Sequence, residues 1–273
     1  MPGAKVDRKT MTFRGDAAVP PPFRSLPSDY TRSGYARGHL APAASHSYNE
    51  LDTFETFLLS TNVVPQNSAM NSGDWLKLER LSRTLCQHFA QVRTVTGPLY
   101  LPRVDPATGK AMICYEVVGK NAVAVPTHLF KVIYVEDPMS PEAQRALSNV
   151  LSPGILRHMN KVAVPAAAHG ATQLAAGGGA RALLPAPTSP VASMGTALVP
   201  AAGTSISGAI SKGGAVGTRQ VYIAAFVMPN TDQGVDKGLA SYMVPLGELE
   251  KSSGLCLTPR TLASSVTMTT VEQ

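Results

Sequence analysis

The sequence predicts an α+β protein built around a central antiparallel sheet flanked by helices. Two observations carry that reading. Short runs rich in β-branched and aromatic residues are separated by turn signals, with no regular strand–helix–strand alternation. One segment, in contrast, has a strong helical period: Trp75, Leu78, Leu81, Leu85 and Phe89 recur at spacings of three and four, which gathers them on one apolar face.

In chain order, residues 1–35 are turn-rich and include Pro20-Pro21-Pro22. The run Phe57-Leu58-Leu59-Ser60-Thr61-Asn62-Val63-Val64 reads as a buried strand that stops at Pro65. The amphipathic helix then opens at Asn71-Ser72-Gly73-Asp74, with Asn71 or Ser72 as its cap and Asp74 in its first turn. Residues 92–101, 112–118 and 128–135 read as strands separated by Gly- and Pro-containing turns. Helices are expected over 141–150 and 155–161. A strand follows at 220–228, a short strand at 242–244 and a helix near 246–252.

Only 15% of the 273 residues are charged, against about 25% in an average soluble domain. Part of the shortfall lies in one block. From 163 to 218, 41 of 56 residues are Ala, Gly, Pro, Ser or Thr, and the only charges are Arg181 and Lys212. Such a stretch has little large apolar surface to offset the entropy of ordering. It reads as disordered from about 163, inside an insertion spanning 137–218. The folded domain would then comprise 1–136 and 219–273. No run reaches the roughly 18 apolar residues of a membrane span. Three cysteines, Cys86, Cys114 and Cys256, are too few and too scattered for a disulfide framework or a zinc site. The net charge of +6 is uneven: residues 1–40 hold seven Lys or Arg against three Asp. That basic stretch suits a polyanionic partner.

It leads directly into Arg37-Gly38-His39, and 32 residues beyond His39 lies Asn71, followed by Glu79. On one continuous helix, Asn71 and Glu79 would lie within about 80° of each other. An imidazole can take a proton from water near neutral pH. Amide and carboxylate oxygens suit a hard, hydrated divalent cation. With an arginine nearby, these groups form a set able to cleave phosphodiesters.

Tyr35-Ala36-Arg37-Gly38-His39-Leu40-Ala41-Pro42-Ala43 resembles the signature of the DNA/RNA non-specific endonucleases. Ser60-Thr61-Asn62-Val63-Val64-Pro65-Gln66, Asn71 with Trp75, and Leu78-Glu79 match the rest of that family's active-site block in order and spacing. Thr96-Gly97-Pro98-Leu99, Val125-Pro126-Thr127-His128, Val227-Met228-Pro229-Asn230 and Ser253-Gly254-Leu255 resemble its mitochondrial endonuclease G branch in particular. The resemblance covers about residues 7–136 and 219–260.

The resemblance implies a ββα-metal nuclease fold and a sugar-non-specific, metal-dependent endonuclease acting on DNA and RNA. His39 would be the general base. Asn71 would be the sole direct protein ligand of one hydrated Mg²⁺ or Mn²⁺. Glu79 would orient metal-bound water, and Arg37 would contact phosphate or support the site. Asn62 would hold the motif together. An arginine of the early basic stretch would bind substrate, with Arg8 and Arg14 as rivals. The branch also implies a homodimer and a mitochondrial compartment, although residues 1–5 show no signal peptide or transit segment.

Three departures stand out. Ala36 occupies the place of the family's usual acid, which keeps a 5′ exonuclease-like relative and a catalytically impaired, nucleic-acid-binding paralogue open as alternatives. Several strands' worth of chain usually precede residue 7, so either that edge of the sheet is reduced or the start is missing. The 137–218 segment interrupts a connection that is usually short.

Overall fold

The computed structural model describes residues 6–7, 10–89, 91–137, 141–165, 218–232 and 237–258. Two four-stranded sheets organise them.

The first sheet is built from short strands: β1 (Arg14–Gly15), β2 (Ala36–His39), β3 (Leu58–Leu59) and β4 (Val63–Gln66), in the order β1-β3-β4-β2. Pairings β1–β3 and β3–β4 are parallel, while β2–β4 is antiparallel with His39 opposite Val63. The single strand expected over residues 57–64 is in fact two. The chain turns between them at Ser60, whose φ is +70°, and Ser60 is fixed there by a 2.8 Å bond from the Ser25 amide to its hydroxyl. Nor does Pro65 end the strand. It lies inside β4 opposite Arg37, where β3 has already ended, so β4 has a partner on one side only and the missing N–H is tolerated.

Helix α1 (Glu50–Glu55) connects β2 to β3, and α2 (Ser68–Ser72) and α3 (Asp74–His88) lead from β4 to the second sheet. The amphipathic helix does not open at Asn71. Asn67 caps α2, its side-chain oxygen accepting from the Ala69 and Met70 amides at 2.9 and 3.2 Å. Gly73, at φ −95° and ψ −110°, leaves helical geometry, and α3 starts after it. The face expected for the helix is present: Trp75, Leu78 and Leu85 are buried, with Leu81 packed against them. Each buried side chain of this size stabilises the fold by about 1.5–3 kcal/mol.

The second sheet contains β5 (Gln91–Leu99), β10 (His128–Asp137), β11 (Asn160–Pro165) and β12 (Thr218–Pro229), in the order β11-β12-β10-β5 and wholly antiparallel. Two small hairpins lie between β5 and β10: β6 (Arg103–Val104) with β7 (Ala111–Met112), and β8 (Val117–Val118) with β9 (Val123–Ala124). The strand expected over 112–118 is therefore split between two hairpins. Residues 242–244 form no strand. They follow a 3₁₀ turn at Leu239–Tyr242 and keep one bridge, Met243 to Phe226.

Alternation along β10 divides the core. Leu129, Ile133 and Val135 face α3, while Phe130, Val132 and Tyr134 face α6 (Leu246–Ser253). Period-2 geometry demands this of a strand covered on both faces. The helices α4 (Pro141–Val150) and α5 (Pro153–His158) place Leu147, Leu151 and Ile155 in the same core as α3, and β11 extends the sheet. So the first part of the segment set aside as an insertion folds onto the domain, because its helices carry apolar faces. Residues 166–217, including most of the Ala/Gly-rich block, lie outside the described residues. Among the described residues no helix is long and apolar enough to cross a membrane, and the three cysteines are free thiols.

Candidate active site

β2 presents its residues in alternation: Arg37 is exposed, Gly38 buried and His39 half-buried. Glycine is required at 38, because a Cβ there would lie 2.0 Å from Cδ of Gln66. The Gln66 side chain crosses that gap, and its Nε2 donates to the His39 carbonyl at 3.3 Å. The same carbonyl accepts from Trp75 Nε1 at 3.2 Å. These bonds tie β2 to β4 and α3 through backbone atoms and leave the imidazole to its own surroundings. The ring packs edge-on to Phe57 at 4.9 Å and tilted against Phe13 at 5.3 Å.

Asn62 closes the loop behind His39. Its side-chain oxygen accepts from the Ala41 amide, and its Nδ2 donates to the Ala41 and Thr56 carbonyls, all at 2.9 Å. Its own carbonyl accepts from the Leu40 amide. The asparagine thus pins the residues that follow His39 to the turn between β3 and β4.

Asn71 is half-buried within α2, which packs against β2. With Asn67 capping α2 and Gly73 preceding α3, Asn71 caps neither helix. Two helices, not one face of one helix, therefore carry Asn71 and Glu79. Trp75, one turn before Glu79, is what joins that turn of α3 to His39. The Glu79 side chain is 12% exposed, and Arg83 Nη1 lies 4.0 Å from its Oε2. The N-terminal end of α3 is held by buried Asp74, which accepts from the Tyr242 hydroxyl at 2.7 Å and pairs with Lys77 at 2.9 Å.

The arginines separate. The Arg37 guanidinium stacks on Phe13 at 4.7 Å, beside the ring that touches His39. Arg14 lies on β1, at the opposite edge of the first sheet, and stacks on Phe54 at 4.1 Å. Arg8 lies outside the described residues. Ala36 lines an open cleft of about 360 Å³ with Phe13, Pro27, Tyr30, Thr31, Tyr35 and Arg37. A cleft faced by aromatic rings and a guanidinium suits stacked bases and phosphate.

Among the described residues, no three His, Cys, Asp or Glu side chains converge as a metal cage. The oxygen-bearing side chains expected to hold a cation are the Asn71 amide and the Glu79 carboxylate. A hard cation that keeps several waters needs few protein ligands, so this donor set fits a hydrated Mg²⁺-like ion.

Three residues have roles at the site that the sequence did not reveal. Trp75 fits the apolar stripe, and nothing in the stripe reveals its N–H bond to His39. Asn230 follows β12, and its Nδ2 donates to the Pro65 and Pro126 carbonyls at 3.0 and 2.9 Å, while its Oδ1 accepts from the Asn67 amide at 2.7 Å. It fastens the end of β4 and the cap of α2 to the second sheet. Lys131, in the middle of the apolar run of β10, is fully buried against Trp75. Its one signal in the sequence is a charge on the α3-facing side of a buried strand.

Asn230→Ala is expected to lower stability by about 1–3 kcal/mol, because it strands buried backbone partners. That corresponds to a fall in Tm of roughly 2–12 °C. A thermal melt checks it, and an unchanged Tm would show that water replaces the clamp.

The sequence family model for DNA/RNA non-specific endonucleases matches residues 2–169. The chain is 46% identical over 130 residues to human mitochondrial endonuclease G, covering 48% of this chain and 43% of that protein. It is 43% identical over 144 residues to the mitochondrial nuclease of Saccharomyces cerevisiae, covering 52% and 44%. Against zebrafish (Danio rerio) mitochondrial nuclease EXOG it is 43% identical over 139 residues, covering 51% and 40%. The chain thus spans less than half the length of these curated relatives. Among solved structures, a chain from the crystal structure of the EndoG/EndoGI complex superposes with a TM-score of 0.59 at 28% identity, covering 93% of this chain and 71% of that one.

Proposed function

The chain belongs to the DNA/RNA non-specific endonuclease family, and from that premise we propose that it is a sugar-non-specific, metal-dependent endonuclease that hydrolyses phosphodiester bonds in DNA and RNA. The observation that carries the reading is the junction at the His39 carbonyl. There Trp75 locks the strand bearing His39 to the helix bearing Glu79, Gln66 locks it to β4, and α2, which carries Asn71, packs against the same strand.

In this reading the His39 imidazole takes a proton from the attacking water. The water oxygen bonds to phosphorus as the P–O bond to the leaving oxygen breaks. Asn71 supplies the direct protein oxygen for one hydrated Mg²⁺ or Mn²⁺, and Glu79 orients its waters by hydrogen bonding. When bound, that cation neutralises charge on the phosphate and the leaving oxygen. Arg37, exposed beside His39, binds the phosphate, and one arginine of the early basic stretch, Arg8 or Arg14, adds a further substrate contact. Contacts of this kind go to the nucleic-acid backbone, so they do not select sequence. By likeness to the mitochondrial relatives, the proposal extends to a mitochondrial location, and from the motif resemblance of the sequence it extends to a homodimer.

A plasmid assay tests the activity. Supercoiled DNA is expected to be nicked and then linearised with Mg²⁺ or Mn²⁺, RNA to be degraded, and EDTA to stop both. Rising salt should weaken cleavage, as counterion release requires. Ala36, which leaves the cleft beside Arg37 without the family's acid, favours one rival reading, a 5′ exonuclease-like enzyme. Closed circles left intact while linear DNA is degraded would establish that rival instead.

A further inference from the structure

Lys131 occupies a position where a cation is costly. It lies between Leu129 and Ile133 on the α3-facing side of β10, and the residue is 1% exposed. Burial of an ammonium disfavours its charged form, and burial pushes the Lys131 ammonium down to about 8, with the negative charge of Glu79 opposing the fall. A well-packed apolar residue of similar length would satisfy the core equally well or better.

The contacts of the ammonium all lead to the candidate site. Its Nζ donates to the Leu40 carbonyl at 3.3 Å, one residue beyond His39. It lies 4.8 Å from the centroid of Trp75, the ring that donates to the His39 carbonyl. It is also close enough to Glu79 for the two charges to attract. One buried cation on the second sheet thus reaches both the strand that carries His39 and the helix that carries Glu79.

We infer that Lys131 is a positioning residue for the proposed reaction, its ammonium holding the Leu40 carbonyl, the Trp75 ring and Glu79 in one arrangement so that β2 and α3 present His39 and Glu79 to the same phosphate. The inference rests on the phosphodiesterase reading of the site. It goes beyond that reading by giving a catalytic purpose to a charge that the core does not need.

The test compares the full chain with Lys131→Met, Glu79→Gln and the double variant. Kinetics on plasmid DNA are combined with thermal melts and hydrogen exchange. Lys131→Met is expected to keep a parental or higher Tm, to lower kcat by about tenfold to a hundredfold and to change KM little, the range seen when partners that orient catalytic groups are lost. Its loss and that of Glu79→Gln should not multiply in the double variant, because the two act as a unit. Amides of residues 38–41 and 74–80 should exchange faster while β5, β10 and β12 do not.

Parental kcat in folded Lys131→Met overturns the proposal, as do losses that multiply. Should Lys131→Met fail to fold, Lys131→Gln, which keeps a donor toward Leu40 without the charge, takes its place under the same criteria. Were the parent itself inactive, the functional reading would fall, and the exchange pattern would still decide whether Lys131 holds the two elements together.

Discussion

His39→Ala is expected to lower the kcat for plasmid nicking by about 10²–10⁴-fold, the contribution typical of a positioned general base. The structure makes this a clean substitution. The links from His39 to α3 and β4 run through its backbone carbonyl, to Trp75 Nε1 and Gln66 Nε2, and alanine retains them. Ring packing against Phe13 and Phe57 is lost with the base, worth about 0.5–1.5 kcal/mol per aromatic pair. The variant should therefore melt only slightly below the parent, with its secondary structure intact. A folded His39→Ala that nicks at the parental rate would assign the base elsewhere.

Asn71→Ala is expected to cost nearly as much, by a different route. A bound divalent cation supplies several kcal/mol of charge stabilisation in the transition state, so losing its protein ligand should slow cleavage by about 10³-fold at limiting metal. Asparagines near helix starts are often caps, and a lost cap costs about 1 kcal/mol. Here that role belongs to Asn67, and Asn71 sits inside α2. Alanine is the better helix former at such a position, so Tm should hold while the metal concentration needed for half-maximal activity rises. A metal titration alongside a melt checks both. A variant with parental metal dependence would remove Asn71 from the metal site.

These two residues also show how far the sequence could be read. The order and spacing of His39, Asn62, Asn71 and Glu79 are local facts, and a strand followed by a helix can be expected from residue types and period alone. The division of the helix at Gly73 was hidden, because Asn71, Ser72 and Asp74 all look like caps. Choosing among them depends on which side-chain oxygen reaches free amides, and Asn67 does so first. How residues 141–162 pack was hidden for a related reason. Residues 141–162 have modest apolar content, and their burial depends on a sheet whose other strands lie far away in sequence.

By itself, then, the sequence determined the α+β class, the apolar face of α3, the strand at β10 and the order of motifs that marks the family. Those features follow from residue type, period and spacing, which are written into the chain locally. Only the tertiary structure decided that Trp75 holds His39 from 36 positions away, that Asn230 clamps Pro65 across 165, and that Lys131 reaches the carbonyl of Leu40 across 91. Such contacts arise when two sheets and a helix dock, and each is a match of one donor to one acceptor. Burial makes the match obligatory, but nothing in the local pattern names the partner.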